Sequence, residues 1–185
     1  MIKDLLRETE NKMKKTVEVL DTDLRGIRTG RATPALVERL MVVYYGVPTP
    51  LEQLATISAP EPQLLTIRPY DPASLKSIER AILASELGLT PNNDGKLIRL
   101  AIPRLTQERR VELVKIVKKR VEEAHISVRN IRSDAKNDIR DFEKEKLVTE
   151  DEAERGREDL QKLTDRYIQK VDESGARKEK EIAEV

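Results

Sequence analysis

The chain has 185 residues, of which 37% are charged and 3% aromatic, with no Trp, one Phe and a single His. Without cysteine there is no disulfide framework, thiolate nucleophile or Cys-based zinc site, and no run reaches the ~18 apolar residues of a membrane span. The net charge of +1 hides a local imbalance, because residues 104–140 carry 11 Lys/Arg against 6 Asp/Glu, whereas residues 141–185 carry 10 against 15.

In chain order, Ile2, Leu6, Met13, Val17, Leu20, Leu24 and Ile27 recur at helical spacing. They predict an amphipathic helix over residues 2–28, capped near Gly30. The first residues enter this charged pattern with no apolar signal core, which points to a cytoplasmic protein. Thr33-Pro34 then opens a different region. Residues 40–45 read as a strand stopped by Gly46-Val47-Pro48-Thr49-Pro50, and residues 51–59 and 64–67 as further strands. Residues 74–87 read as a short helix, Pro91-Asn92-Asn93-Asp94-Gly95 as a turn, and residues 97–102 as a returning strand closed by Pro103.

Residues 106–142 form the organising helix. Val117, Val121, Ala124, Val128, Ile131 and Ala135 alternate steps of four and three, the seam of a helix packed on other helices. At ~100° per residue, Lys118, Arg129, Arg132, Lys136 and Arg140 gather on one flank of that seam. Thr149-Glu150-Asp151-Glu152 is a capping box that starts the last helix, with Ala153, Leu160, Leu163, Tyr167, Val171, Ile182 and Val185 on its apolar face.

The expected fold is α+β: a long antiparallel three-helix bundle (residues 1–30 and 104–185) with a small β/α/β domain (residues 31–103) inserted between its first and second helices. The two connections, near Gly30 and Pro34 and near Pro103 and Leu105, should lie side by side and form a hinge.

Chemistry of the catalytic kind is not encoded in any recognisable pattern. One histidine, His125, cannot build a zinc site or serve a triad, and there is no phosphate loop or dinucleotide fingerprint. No metal, cofactor or enzymatic activity is therefore expected. Tyr44 and Tyr45 lack the aromatic pattern of a base-stacking platform, and one of two adjacent strand residues must face the core. The row of cations is different. Attraction between a basic and an acidic helix accounts for part of the charge asymmetry, yet not for the gathering of Lys118, Arg129, Arg132 and Lys136 on one flank. A basic stripe on a long rod with few aromatics suits the backbone of structured RNA. A coiled-coil adaptor that presents the small domain to a protein partner is the alternative.

Five blocks carry a family resemblance: Arg28-Thr-Gly-Arg-Ala-Thr-Pro34, Tyr44-Tyr-Gly-Val-Pro-Thr-Pro50, Leu87-Gly-Leu-Thr-Pro-Asn92, Leu105-Thr-Gln-Glu-Arg-Arg110 and Val128-Arg-Asn-Ile-Arg132. In order and spacing the chain resembles the bacterial ribosome recycling factors from end to end. The resemblance implies an L-shaped monomer that binds the 70S ribosome in the A-site region. Acting with the GTPase elongation factor G, it would split the post-termination complex and free mRNA and tRNA. It also implies that Arg129 and Arg132 contact large-subunit ribosomal RNA near the A and P sites, that Arg110 is a further basic position, and that Arg28 and Arg31 flank the first hinge strand. Gln107 and Ser133 depart from the residues the family commonly has there, acidic and basic respectively, and Ser133 thins the cationic cluster.

Overall fold

A computed structural model describes residues 1–184, so Val185 lies outside the described residues. The chain divides into two compact units, Met1–Arg28 with Gln107–Glu184, and Thr29–Thr106.

The first unit is a bundle of α1 (Ile2–Arg25), α4 (Gln107–Lys144) and α5 (Glu150–Ala183). Each buries one stripe: Met13, Leu20 and Leu24 from α1, Leu113, Val117, Ala124, Val128, Ala135 and Ile139 from α4, and Ala153, Leu160, Leu163, Tyr167, Val171 and Ile182 from α5. Two apolar stripes of α4 and α5 that run antiparallel place Val121 against Gly175 and Ile139 against Gly156. At Gly175 an added Cβ would lie 2.6 Å from Val121 Cγ2, so the missing side chain sets how closely the two helices approach. The last helix starts as its capping box dictates. Glu152 N–H donates to Thr149 Oγ1 at 3.2 Å, and Thr149 N–H donates to Glu152 Oε2 at 2.8 Å. The same backbone N–H holds the Glu152 carboxyl below its usual range.

The first helix stops short of the expected residue 28. Gly26 is its C-cap, in ordinary right-handed geometry; its N–H donates to Thr22 O, and Ile27 N–H donates to Leu24 O. Glycine is a poor helix former and the chain departs there. Gly30 does take the left-handed conformation (φ 72°), but within the connection that follows.

In the second unit, β1 (Met41–Tyr44) and β2 (Val47–Pro50) form a hairpin, followed by α2 (Leu51–Leu54), β3 (Ala55–Glu61) and β4 (Leu64–Pro69). Then come α3 (Leu75–Ala84), β5 (Pro91–Asn93) and β6 (Ile98–Ala101). The larger sheet is antiparallel in the order β3-β4-β6-β5. Its alternate residues Leu65, Ile67, Ile98 and Leu100 are fully buried with Ile78 and Ile82 of α3, as a period of two demands.

Three local expectations fail here for physical reasons. Residues 47–50 are a strand, not a stop. Pro48 and Pro50 are tolerated because β2 pairs only with β1, and Tyr45 and Gly46 (φ 47° and 78°) make the tight turn. Residues 51–54 are a helical turn instead of the start of a strand, because Leu51 and Leu54, three apart, are both buried, and Leu51 N–H is held by Leu40 O. Pro91–Asn93 is an edge strand instead of a turn, and the turn itself falls on residues 94–97. There Asp94 Oδ1 accepts from Lys96 N–H and Leu97 N–H, both at 2.9 Å, and Arg99 binds Oδ2 at 2.7 Å. These bonds, the backbone ones first, lower the Asp94 pKa to about 2.

Candidate nucleic-acid interface

The basic flank of α4 runs beside α5. Lys118 and Lys136 are exposed and make no ion pair among the described residues. Eighteen residues apart, they bound a row about 27 Å long. Between them, Arg129 is exposed, with Nη1 3.6 Å from Glu122 Oε1. Arg132 lies closer to the seam and donates from Nη1 to Gln161 Oε1 on α5 at 3.1 Å. The Gln161 amide in turn donates to Asp165 Oδ1 at 2.8 Å. Arg132 is thus held by a neutral acceptor whose orientation is fixed by a carboxylate, and its charge is not cancelled by direct pairing among the described residues. Arg140 extends the row, with Nε 3.7 Å from Asp141.

Arg110 lies apart from this row, on the seam side of α4. It lines a groove with Val111, Val114 and Lys118 of α4 and Ile182 of α5. Eighteen residues before Val128, five helical turns, it points the way the apolar seam does. Its Nε is buried and has no hydrogen-bond partner among the described residues. Arg28 and Arg31 are both exposed, Arg28 in the first unit and Arg31 in the second.

Direct charge contacts between α4 and α5 run both ways, so attraction of a basic α4 for an acidic α5 is not uniform. The ion pair between Glu143 and Arg157 has its carboxylate on α4 and its cation on α5, and with Glu154 it raises the Arg157 pKa. His125, at the α4–α5 seam, has Nε2 2.7 Å from Asp172 Oδ1 and Nδ1 3.5 Å from Glu122 Oε2. Glu122 therefore faces both His125 and Arg129. No group of His, Cys, Asp or Glu among the described residues is arranged to hold a metal. Sequence reasoning missed Gln161, Asp165 and Asp172. Only the antiparallel register between residues some thirty to fifty positions apart brings them to the cations.

Within the second unit the two connections touch. A Cβ at Gly30 would meet Leu105 Cγ and Pro103 O, both at 3.2 Å, while φ 72° independently favours glycine. Ala32 N–H donates to Pro62 O at 2.7 Å, and Ile102 N–H to Gln63 O at 2.8 Å, so both connections are pinned to the β3–β4 turn. Pro34 begins a single 3-10 turn, Pro34–Leu36. Tyr44 and Tyr45 both direct their hydroxyls to Asp71 Oδ2, at 3.1 and 3.5 Å, which ties the hairpin down, and the two rings meet edge-on at 4.5 Å between centroids.

The family model described as ribosome recycling factor matches residues 20–183. The ribosome-recycling factor of Heliobacterium modesticaldum is 57% identical over 185 residues, all of both chains. The chain belongs to the ribosome recycling factor family. The ribosome-recycling factor of Carboxydothermus hydrogenoformans is 55% identical, again over the whole of both chains. A solution structure of the ribosome recycling factor has a TM-score of 0.76 at 44% identity, with 100% of this chain and 98% of that one covered. A second structure, of the T. thermophilus ribosome recycling factor and the E. coli elongation factor G bound to the E. coli post-termination complex, has a TM-score of 0.64 at 44% identity, with 98% of each chain covered. Ribosome recycling factor kinship over the full length sets aside an unrelated adaptor bundle, and the α+β architecture is the family's.

Proposed function

We propose that the chain is a translation factor that acts with elongation factor G and GTP to disassemble the post-termination ribosome. In this reading it splits the subunits and releases mRNA and tRNA. The observation that carries the reading is full-length identity of 57% to a ribosome-recycling factor. It is joined by a structural relative bound with elongation factor G to a post-termination complex.

In the same reading the residues take the roles that the family resemblance implies. Arg129 and Arg132 are the principal contacts to large-subunit RNA near the A and P sites, and Lys118 and Lys136 extend the electrostatic footprint. Arg110, set apart from the row toward the start of α4, offers its guanidinium to a phosphate. Such contacts read backbone position, not base sequence. The connections at Gly30, Pro34, Pro103 and Leu105 are the hinge, and Arg28 and Arg31 flank its first strand. The chain carries out no bond chemistry of its own. GTP hydrolysis belongs to elongation factor G, and the long bundle passes force to the ribosome as a lever. The factor works as a monomer in the cytoplasm, and no described helix is long and apolar enough to cross a membrane.

Co-sedimentation with 70S ribosomes across a salt titration tests the binding part of this reading. Recovery with ribosomes at low salt that falls steeply with added salt is the expected result. A chain that stays in the supernatant at all salt concentrations contradicts it.

A further inference from the structure

The charge count of residues 141–185 marks α5 as acidic, yet its two flanks differ. Gln161 and Lys162 are sequence neighbours and so sit about 100° apart on the helix. Gln161 turns to α4, where it meets Arg132. Lys162 turns to α1, where with Lys3, Arg7 and Arg166 it lines a groove floored by Leu6 and Leu163. Four cations therefore face one cleft, against two carboxylates, Glu10 and Asp159.

The carboxylate Glu10 is already engaged. Its Oε1 accepts from Arg166 Nη2 at 3.1 Å and from the Tyr167 hydroxyl at 3.0 Å. Burial, with that bond, raises the Tyr167 pKa, so the phenol stays a donor and Glu10 stays occupied. Arg7 is exposed and, among the described residues, pairs only with the exposed Asp4, at 3.2 Å. Lys3 and Lys162 are exposed and make no ion pair among the described residues. Farther along the same flank, Lys170 lies 4.6 Å from the Tyr167 ring centroid. From Lys162 to Lys170 this side of α5 adds about 12 Å of cationic rim. Four cations around a floor of Leu6 and Leu163, with no aromatic side chain lining the groove among the described residues, match a phosphodiester backbone.

We propose that this α1–α5 groove is a second RNA-backbone contact, on a different side of the bundle from the α4 stripe. The inference rests on the reading that the chain binds the ribosome. It makes the bundle a wedge held by RNA along two flanks, with α5 between them contributing Gln161 to one and Lys162 to the other. Two separated contacts also resist rotation of a rod about its own axis, which a single stripe does not.

The test uses the full chain and large ribosomal subunits. In the triple variant Lys3→Gln, Arg7→Gln and Lys162→Gln, Arg166 is kept because it belongs to the Glu10–Tyr167 network. Loss of three backbone contacts should lower the slope of log affinity against log salt by about 2–3, at roughly 0.7–0.9 per contact. Melting temperature should stay that of the parent. In parallel, because the chain has no cysteine, Asp159→Cys and Ser133→Cys each give one attachment point for an iron chelate that generates hydroxyl radicals. Both probes should cut ribosomal RNA, at different nucleotides. An unchanged slope in the triple variant, alongside a reduced slope in Arg129→Ala/Arg132→Ala, overturns the second contact and leaves the functional reading intact. Lost affinity without RNA cleavage from position 159 assigns the groove to a ribosomal protein and overturns its assignment to RNA. Failure of the parent chain to bind subunits overturns both.

Discussion

Gln161 provides a way to ask whether Arg132 faces phosphate without removing the arginine. Its Oε1 accepts from Arg132 Nη1 at 3.1 Å, so Gln161→Glu sets a carboxylate against the guanidinium with almost no change in shape. The pair is exposed, and its own contribution to stability should stay below about 1 kcal/mol. Its effect on binding is larger, because a phosphate now competes with a fixed counter-charge. If Arg132 releases one counterion on binding, neutralising it lowers the salt slope by roughly 0.7–0.9. Over the fourfold range from about 50 to 200 mM salt, the fall in affinity should then shrink about threefold relative to the parent chain. Arg132→Ala should give the same change in slope. Gln161→Ala keeps the charge and should keep the slope, weakening binding only by the lost hydrogen bond, about 1 kcal/mol or some fivefold. Equilibrium binding to 50S subunits at several salt concentrations measures all three. Parental slopes in both Gln161→Glu and Arg132→Ala would refute the placement of Arg132 against RNA.

Other consequences concern the frame that holds this flank. Gly175→Ala gains about 1 kcal/mol of helix propensity, yet its Cβ would lie 2.6 Å from Val121 Cγ2, and overpacking costs about 1–3 kcal/mol. The single variant should be neutral or less stable. Adding Val121→Ala should recover at least about 1 kcal/mol of coupling, read by helicity during urea unfolding, and additive effects would contradict the close approach. Thr149→Ala should cost about 1 kcal/mol by removing the capping-box bonds, seen as a lower denaturation midpoint. For Asp94, the folded pKa of about 2 lies below the ordinary aspartate value of 3.8. Its stabilising contribution is therefore complete above about pH 4 and is lost as pH falls from there through about 2. Asp94→Asn should flatten that part of the stability profile of the second unit, and an unchanged profile would contradict the turn's role.

The long helices were legible because their evidence is local and repeated. The four-and-three seam of α4 and the Thr149 capping box each need only neighbours within a few residues. The small unit was legible in outline, and its errors share a cause. Tyr45-Gly46 does the work usually signalled by Asn-Gly, and two prolines sit in β2 where only edge geometry lets them stay. Leu51 and Leu54 were spaced for a helical turn but read as part of a longer strand. For the candidate interface, the cationic row of α4 could be drawn on a wheel, but its partners could not. Gln161, Asp165 and Asp172 meet α4 through the register of two antiparallel helices, information that exists only once they pack. A net charge summed over α5 likewise averaged an acidic side with the basic rim carrying Lys162 and Arg166.

The most direct test of the account is a splitting assay on post-termination 70S complexes, followed by light scattering, with elongation factor G and GTP present or omitted. The account predicts that the chain splits ribosomes only when elongation factor G and GTP are present. Arg129→Ala/Arg132→Ala should lose most of that rate while keeping the fold. No splitting by the parent chain beside an active elongation factor G, or full splitting by the double variant, would contradict it.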